Sequence, residues 1–203
     1  MSYHDLYLLY TLANTSSGCV STHADKVLRI LKKTKFPPNR SRSNASGVDK
    51  ELTRRYLKNS NYKWKGVMGN ACLSFTIGYI KPRRLPNTAP LVLSRPTLRN
   101  HELYTACRKY IHMLNKDFKY TTICVNKNFK CTPHVDAQNE NMSLIVGLGD
   151  YTGGNLIIGG TKHNIRYAPV IFNGGKEKHW NDDITEGTKY SLVFFTSKGK
   201  LPE

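Results

Sequence analysis

Short β-rich runs separated by turn residues fill the chain from residue 119 to near its end. Gly, Asn and Asp punctuate the runs, and no good helical pattern is left in this half of the sequence. Evenly spaced short strands with such turn signals are typical of an antiparallel barrel or sandwich. The predicted strands are 119–125, 142–148, 154–158, 163–167, 169–172 and 189–196.

The first half of the chain reads instead as short helices between loops. Over residues 97–118, Leu103, Tyr110 and Leu114 recur with helical spacing and predict a helix that covers one face of the following β structure. The other predicted elements are a helix near 23–33 capped by Thr22, a helix near 48–59 and a strand at 72–77. We therefore expect an α+β fold, a jelly-roll-like barrel with supporting helices mostly from the N-terminal half.

The length of 203 residues suits one compact domain. We expect a basic, helix- and loop-rich region at 1–100 to pack on a core at 101–203, which holds the support helix and the strands. The chain has no run of about 18 apolar residues and no basic segment at its start, so neither a membrane span nor a secretory signal is expected. The sequence leaves the oligomeric state open, and we favour a monomer.

Cysteine usage bears on the compartment. Five cysteines occur without a CxxC pair, which argues against a disulfide framework and a structural zinc site. We therefore predict a reducing, intracellular compartment, and both the nucleus and a virus-infected host cell stay open.

Positive charge is concentrated in the first half of the chain. The whole sequence carries 31 Lys and Arg against 14 Asp and Glu, a net charge of +17. Residues 1–100 hold 18 Lys and Arg against 4 acids, whereas residues 101–203 hold 13 against 10. Such a surface attracts polyanions, and we expect nucleic acid as the partner. The likeliest phosphate contacts are Lys26, Arg29, Lys33, Arg54, Lys58, Arg83 and Arg84, placed beside the barrel mouth.

The segment Cys131–Asp136 carries a candidate metal site. His134 and Asp136 are two residues apart, so on a strand both side chains point to the same face. His179, placed before the last strand, offers a third ligand. Two histidines and one carboxylate form the facial triad that holds non-haem iron, with coordination positions left open.

A lysine lies near the start of the last, apolar strand. Lys189 follows His179 by ten residues, and Ser191 faces the same side of the strand. A cation pointing into a barrel requires an anionic partner, because an unpaired buried ammonium is costly. The distal carboxylate of 2-oxoglutarate would be such a partner.

These motifs, in this order, resemble the double-stranded β-helix of Fe(II)/2-oxoglutarate dioxygenases over about residues 119–196. The matching parts are the HxD, Gly149-Asp-Tyr-x-Gly-Gly-x-Leu156, Asn173-Gly with His179, and Gly187-Thr-Lys-Tyr-Ser-Leu-Val-Phe-Phe195. Within the superfamily, Cys124–Asp136 and Leu148–Gly154 resemble the branch of TET/JBP nucleobase oxidases. The chain departs from that branch in its Lys189, where Arg is common, and it has no long inserted DNA-binding region.

The resemblance implies an enzyme that oxidises a base in nucleic acid, with the methyl group of 5-methylcytosine or thymine as the expected target. It implies that His134, Asp136 and His179 hold Fe(II), that Lys189 pairs with 2-oxoglutarate, and that O2 is consumed. Ser191 could add a hydroxyl contact, and strand parity makes Asn126 or Asn128 a further contact to the cosubstrate, unless Pro133 breaks the parity. Arg166 either reaches the substrate or faces water.

Two alternatives stay open at the level of sequence. The ten-residue spacing between His179 and Lys189 also suits prolyl-hydroxylase-like members, so the substrate could be a protein side chain. A catalytically inactive β-helix protein that only binds nucleic acid is the competitor from another class. The intact set of three ligands and one lysine argues against it.

Overall fold

A computed structural model describes residues 17–37, 73–82, 85–86 and 88–202. The predicted helix near 48–59 lies outside these residues, as do the predicted phosphate contacts Arg54, Lys58, Arg83 and Arg84. Across the described part of the chain, no helix is long and apolar enough to cross a membrane.

Three helices are described, α1 (Ser17–Lys33), α2 (Arg95–Arg99) and α3 (His101–Leu114). The first begins earlier than predicted, so Thr22 lies inside the helix and is not its N-cap. The single helix predicted at 97–118 is wrong in its bounds. Asn100, with a non-helical φ of −125°, separates α2 from α3, and α3 ends at Leu114.

Eleven strands are described, and most of the predicted ones are present with shifted ends. Four strands were not predicted (β2, β5, β9 and β10), and β7 was predicted only at its last residue, because runs of two to four residues carry little periodicity. The strand predicted at 163–167 is wrong beyond its first residue. The strands are β1 (Leu73–Ile80), β2 (Val92–Leu93), β3 (Thr122–Lys127), β4 (Asn139–Leu148), β5 (Tyr151–Gly153), β6 (Leu156–Ile158), β7 (Thr161–His163), β8 (Val170–Phe172), β9 (His179–Asn181), β10 (Ile184–Gly187) and β11 (Tyr190–Ser197).

The strands form three antiparallel sheets. The largest has the order β2-β1-β3-β11-β4-β8, and the smaller ones are β10-β5 and β7-β6-β9. The predicted α+β class with a jelly-roll arrangement of antiparallel strands is confirmed. Among the residues described, however, the sheets do not close into one continuous barrel.

The large sheet has two different faces because alternate residues of a strand point to opposite sides. On β3, Ile123 and Val125 belong to the core shared with α1 and α3, whereas Asn126 points to the other side and lines a pocket. On β11, Leu192 belongs to the helical side and Ser191 to the pocket side. The helices thus cover one face of the sheet, and the pocket opens on the other.

Candidate metal centre

His134 and His179 are brought together by backbone pairing. The amide of His134 donates to the carbonyl of His179 at 3.1 Å, and the amide of His179 donates to the carbonyl of His134 at 2.9 Å. The amide of Asp136 donates to the carbonyl of Gly174 at 2.7 Å. The expectation of a regular strand at the HxD is wrong, because His134 forms an isolated bridge and Asp136 lies outside any strand. The side chains converge because this segment pairs with β9 and the turn before it.

The three side chains place their donor atoms around one point. His134 Nε2 lies 3.6 Å from one carboxylate oxygen of Asp136, and His179 Nε2 lies 3.7 Å from the other. All three ligand atoms lie within 4.8 Å of one another. Bonds of about 2.0–2.2 Å from one ion to imidazole nitrogen and carboxylate oxygen require these donor atoms to move closer together.

Backbone carbonyls orient both imidazoles toward this point. His134 Nδ1 lies 2.7 Å from the carbonyl of Thr132, and His179 Nδ1 lies 2.8 Å from that of Glu177. Because a carbonyl only accepts, Nδ1 is the donor in both contacts, which leaves Nε2 as the nitrogen of each ring that can bind a metal. Two neutral imidazoles and one carboxylate are the donor set of non-haem Fe(II) sites. The residues therefore fit the iron that the sequence implies.

Further contacts hold Asp136 and His179 in place. Asn139 donates from its side-chain amide to Asp136 Oδ2 at 3.2 Å. Phe172 meets the ring of His179 edge-on, with centroids 4.8 Å apart. Such contacts behind the ligands fix their orientation and raise metal affinity.

Lys189 lines the same pocket as the three ligands, and its side chain is buried. Its ammonium donates to the carbonyl of Gly154, and within the described part of the chain no carboxylate lies at ion-pair distance from it. Burial lowers the pKa of Lys189 to about 8, and Cys131 and Asp182 oppose that shift only in part. Burying a cation without an ion-pair partner is costly, and an anion bound beside Lys189 would offset that cost.

Two other predicted cosubstrate contacts, Asn126 and Ser191, also line the pocket. Both are buried, and the side-chain amide of Asn126 donates to Ser191 Oγ at 3.2 Å. Asn128 has a different position because β3 ends at Lys127 and Asn128 has a φ of +46°. Its side-chain oxygen accepts from the backbone amide of Lys189 at 2.8 Å. Asn128 thus holds the backbone of Lys189. The strand alternation that would point the Asn128 side chain at the cosubstrate ends before this residue.

The predicted substrate contact Arg166 does not line the pocket. Its guanidinium pairs with the exposed Asp150 at 2.9 Å and lies 5.8 Å from the ring centroid of Tyr151. Arg166 was expected either to reach the substrate or to face water, and its exposed position agrees with the second expectation.

Lys26, Arg29 and Lys33 lie on the exposed side of α1. The buried side of this helix, which includes Val27 and Leu31, belongs to the core that α3 and the sheet share. These three cations therefore sit in the helical layer, across the sheet from the pocket. The prediction that they lie beside the mouth of the site is wrong, because the apolar side of α1 packs on the helical side of the sheet.

Sequence reasoning missed two side chains near the pocket. Asn181 lines it, two residues after His179 on β9, and its side-chain oxygen accepts from the amide of Cys131 at 2.9 Å. Strand parity would have found Asn181 had β9 been predicted. Tyr151 places its ring centroid 5.8 Å from the ammonium of Lys189, and its buried hydroxyl has no hydrogen-bond partner among the residues described. No sequence signal marks that hydroxyl.

No family model and no curated protein matches the chain. Among solved structures, it is similar to NgTET1 in complex with 5mC DNA, with a TM-score of 0.45, 15% identity, and coverage of 77% of this chain and 73% of that chain. It is also similar to a 2OG-Fe(II) oxygenase family oxidoreductase from Burkholderia pseudomallei, with a TM-score of 0.43, 18% identity, and coverage of 73% and 78%. A Pseudomonas putida prolyl-4-hydroxylase matches with a TM-score of 0.35, 13% identity, and coverage of 72% and 83%.

All three are of the 2OG-Fe(II) oxygenase superfamily that the sequence resembles. The cluster of His134, Asp136 and His179 has the composition, two histidines and one carboxylate, of non-haem Fe(II) sites.

Proposed function

We propose that this protein is an Fe(II)/2-oxoglutarate-dependent dioxygenase that oxidises a base in nucleic acid, at a methyl group such as that of 5-methylcytosine or thymine. The observation that carries the proposal is one pocket that joins the His134, Asp136 and His179 cluster to the buried ammonium of Lys189. The cluster supplies a metal site with open positions, and the lysine supplies an anchor for an anion.

The side chains divide the work of the site. Bound Fe(II) would supply O2 activation coupled to the decarboxylation of 2-oxoglutarate to succinate. His134 and His179 offer neutral nitrogens, because their other nitrogens are committed to backbone carbonyls. Asp136 offers the one carboxylate, which offsets part of the charge of a divalent ion and leaves open positions for the keto-acid end of the cosubstrate.

Lys189 would hold the other end of 2-oxoglutarate. Its ammonium would exchange the hydrogen bond to the Gly154 carbonyl for a charge-assisted pair with the distal carboxylate. Asn126 and Ser191 lie on neighbouring strands within the same pocket and can add a hydrogen bond to the cosubstrate. The anchor and the metal together orient the cosubstrate before O2 arrives.

The assignment of nucleic acid as substrate rests on charge and motifs. The net charge of +17 favours a polyanion over a small metabolite. The motifs around Asp136 and Gly154 resemble those of the TET/JBP branch. A target base inside a duplex would have to leave the stack to reach the pocket, whereas a base in a single strand is already accessible.

Nucleoside mass spectrometry tests the proposal. The full protein is incubated aerobically with Fe(II), 2-oxoglutarate and oligonucleotides that carry 5-methylcytosine or thymine. We expect a nucleoside that has gained one oxygen atom, with dependence on 2-oxoglutarate and loss in Asp136→Ala. Glu140→Gln, which changes an exposed acid on β4, is the matched control and should keep the activity.

The protein hydroxylase is the second candidate, favoured by the ten-residue spacing from His179 to Lys189. Proline-containing peptides in the same assay separate the two. Hydroxylated peptide with unmodified nucleosides would transfer the assignment to that class. Absence of any 2-oxoglutarate turnover would contradict both enzyme assignments and favour a binding protein.

A further inference from the structure

A strongly basic groove runs between α1 and the start of α3, away from the metal cluster. Its volume is about 630 Å³. Five exposed cations line it, and Glu102 is the one acid among its lining residues. In the part of the chain that the structure describes, none of the five has a carboxylate at ion-pair distance. The cations are Lys26, Arg29, Lys33, Lys35 and Arg99.

A second groove, of about 520 Å³, adjoins the first along α2 and α3. Three half-buried tyrosines line it, Tyr79, Tyr104 and Tyr120. Arg108 adds a cation there and lies 5.8 Å above the ring centroid of Tyr104. No acidic side chain lines this groove, and His101 lines both grooves, so the two meet.

We propose that the two grooves together form a docking surface for single-stranded nucleic acid, an inference that rests on the nucleic-acid substrate of the proposed function. The cations of the first groove would hold phosphates, and the tyrosines of the second would stack on bases. A positively charged groove combined with aromatic side chains is how proteins hold single strands without reading sequence. A duplex offers phosphates but keeps its base faces stacked on one another, so it would use the first groove alone.

The position of this surface defines its role. Leu103 and Tyr110 anchor α3 in the core on the helical side of the sheet, whereas the metal ligands lie on the other side. The surface therefore anchors the polymer at a distance from the chemistry, while another part of the strand enters the pocket. Its loss should weaken the binding of long oligonucleotides and leave 2-oxoglutarate turnover without substrate unchanged.

Fluorescence anisotropy with a labelled 20-nucleotide oligothymidylate, measured over a range of salt concentrations, tests the basic groove. The double variant Lys26→Glu with Lys33→Glu should weaken binding and make the slope of log affinity against log salt shallower by about 1.4, since each single-strand phosphate contact contributes about 0.7. The matched control is Lys109→Glu with Lys116→Glu, two exposed lysines outside both grooves. An equal effect of the control pair would overturn the proposal, because net charge alone would then account for binding.

The tyrosine groove is tested with Tyr104→Leu. Loss of one stacked base should weaken single-strand binding by about 5- to 150-fold, the equivalent of about 1–3 kcal/mol, with an unchanged salt slope. Tyr104→Phe keeps the ring and should bind like the parent, which separates the role of the ring from that of the hydroxyl. Equal losses for single strand and duplex would overturn the stacking role, and so would competition by a polyglutamate peptide that matches the unlabelled oligonucleotide.

This test can fail independently of the proposed enzyme. Binding is measured without iron or 2-oxoglutarate, and Asp136→Ala should bind the oligonucleotide like the parent. Base oxidation that persists in all groove variants, with unchanged binding, would contradict the docking surface alone. Normal binding without any base oxidation would contradict the enzyme alone.

Discussion

At the scale of single residues, Lys189 carries most of the argument for the cosubstrate, because it is the cation that shares the pocket with the metal cluster. Replacing it by Met keeps much of the side-chain volume and removes the charge. Lys189→Met should raise the 2-oxoglutarate requirement by about 10- to 150-fold, since a hydrogen bond to a charged group contributes about 1.5–3 kcal/mol. Iron content, measured by metal analysis, should stay the same. Unchanged cosubstrate dependence would show that Lys189 does not hold 2-oxoglutarate.

The lowered pKa of Lys189 gives a pH dependence of defined sign. In the cosubstrate-free protein the ammonium is kept below pH 8 and lost above it, because burial brings the pKa to about 8. A bound carboxylate favours the charged form and raises that pKa. The dissociation constant of 2-oxoglutarate should therefore increase as the pH rises above 8, by up to about tenfold per pH unit. Binding of 2-oxoglutarate to the iron-loaded protein, titrated from pH 7 to 10, measures this.

Lys189→Arg is the control for that titration. A guanidinium stays protonated through this range, so the pH dependence should disappear even if the affinity itself changes. The same dependence in the arginine variant would assign the titration to another group.

Asn139 tests whether contacts behind the ligands tune the metal. Its amide donates to Asp136 Oδ2, so Asn139→Ala removes one of the contacts that orient that carboxylate. Loss of such a contact typically lowers metal affinity by about 10- to 100-fold. Competition for Fe(II) with a chelator measures the affinity. Glu140→Ala, at the next position of β4, is the control and should bind iron like the parent.

At the scale of elements, strand alternation was predictable from the sequence, but the places where alternation ends were not. The alternation of β3 and β11 places Asn126 and Ser191 in the pocket, as expected. Asn128 lies just past the end of β3 with a positive φ, and no periodicity reveals such a break. His134 and Asp136 converge through pairing with distant residues and not through a strand of their own. The residue types identified the site, whereas the backbone that builds it is a tertiary effect.

The loop between β5 and β6 contains Gly154, whose carbonyl accepts the hydrogen bond from Lys189. Substitution of this glycine tests how the loop positions the lysine. Gly154 has a φ of +64°, and a Cβ there would lie 2.9 Å from Lys189 Cδ. Gly154→Ala should lower the free energy of unfolding by about 1–3 kcal/mol through backbone strain and should also weaken 2-oxoglutarate binding by displacing the lysine. Denaturant unfolding and cosubstrate titration give the two readouts.

Gly159→Ala is the matched control, because Gly159 has a φ of +56° and nothing lies within 4 Å of its added Cβ. It should show the strain without the loss of cosubstrate affinity. Equal cosubstrate affinities in the two variants would contradict the packing of Lys189 on Gly154.

At the scale of the whole molecule, one sheet separates two surfaces with different chemistry. The metal cluster and Lys189 lie on one side, and the basic and tyrosine-lined grooves lie on the helical side. The sequence predicted the excess of positive charge in the first half of the chain, but placed it beside the metal pocket. Composition reveals how much charge a region carries, whereas its position depends on which side of α1 is apolar and what that side covers.

Iron and 2-oxoglutarate are proposed to bind together at His134, Asp136, His179 and Lys189. Anaerobic calorimetry of 2-oxoglutarate added to the iron-loaded protein tests this proposal most directly, because no substrate has to be known. We expect one equivalent to bind, with the affinity greatly reduced in the absence of iron, in Asp136→Ala and in Lys189→Met. The proposal would be contradicted if 2-oxoglutarate did not bind to the iron-loaded parent. It would also be contradicted if the affinity were unchanged without iron, in Asp136→Ala and in Lys189→Met.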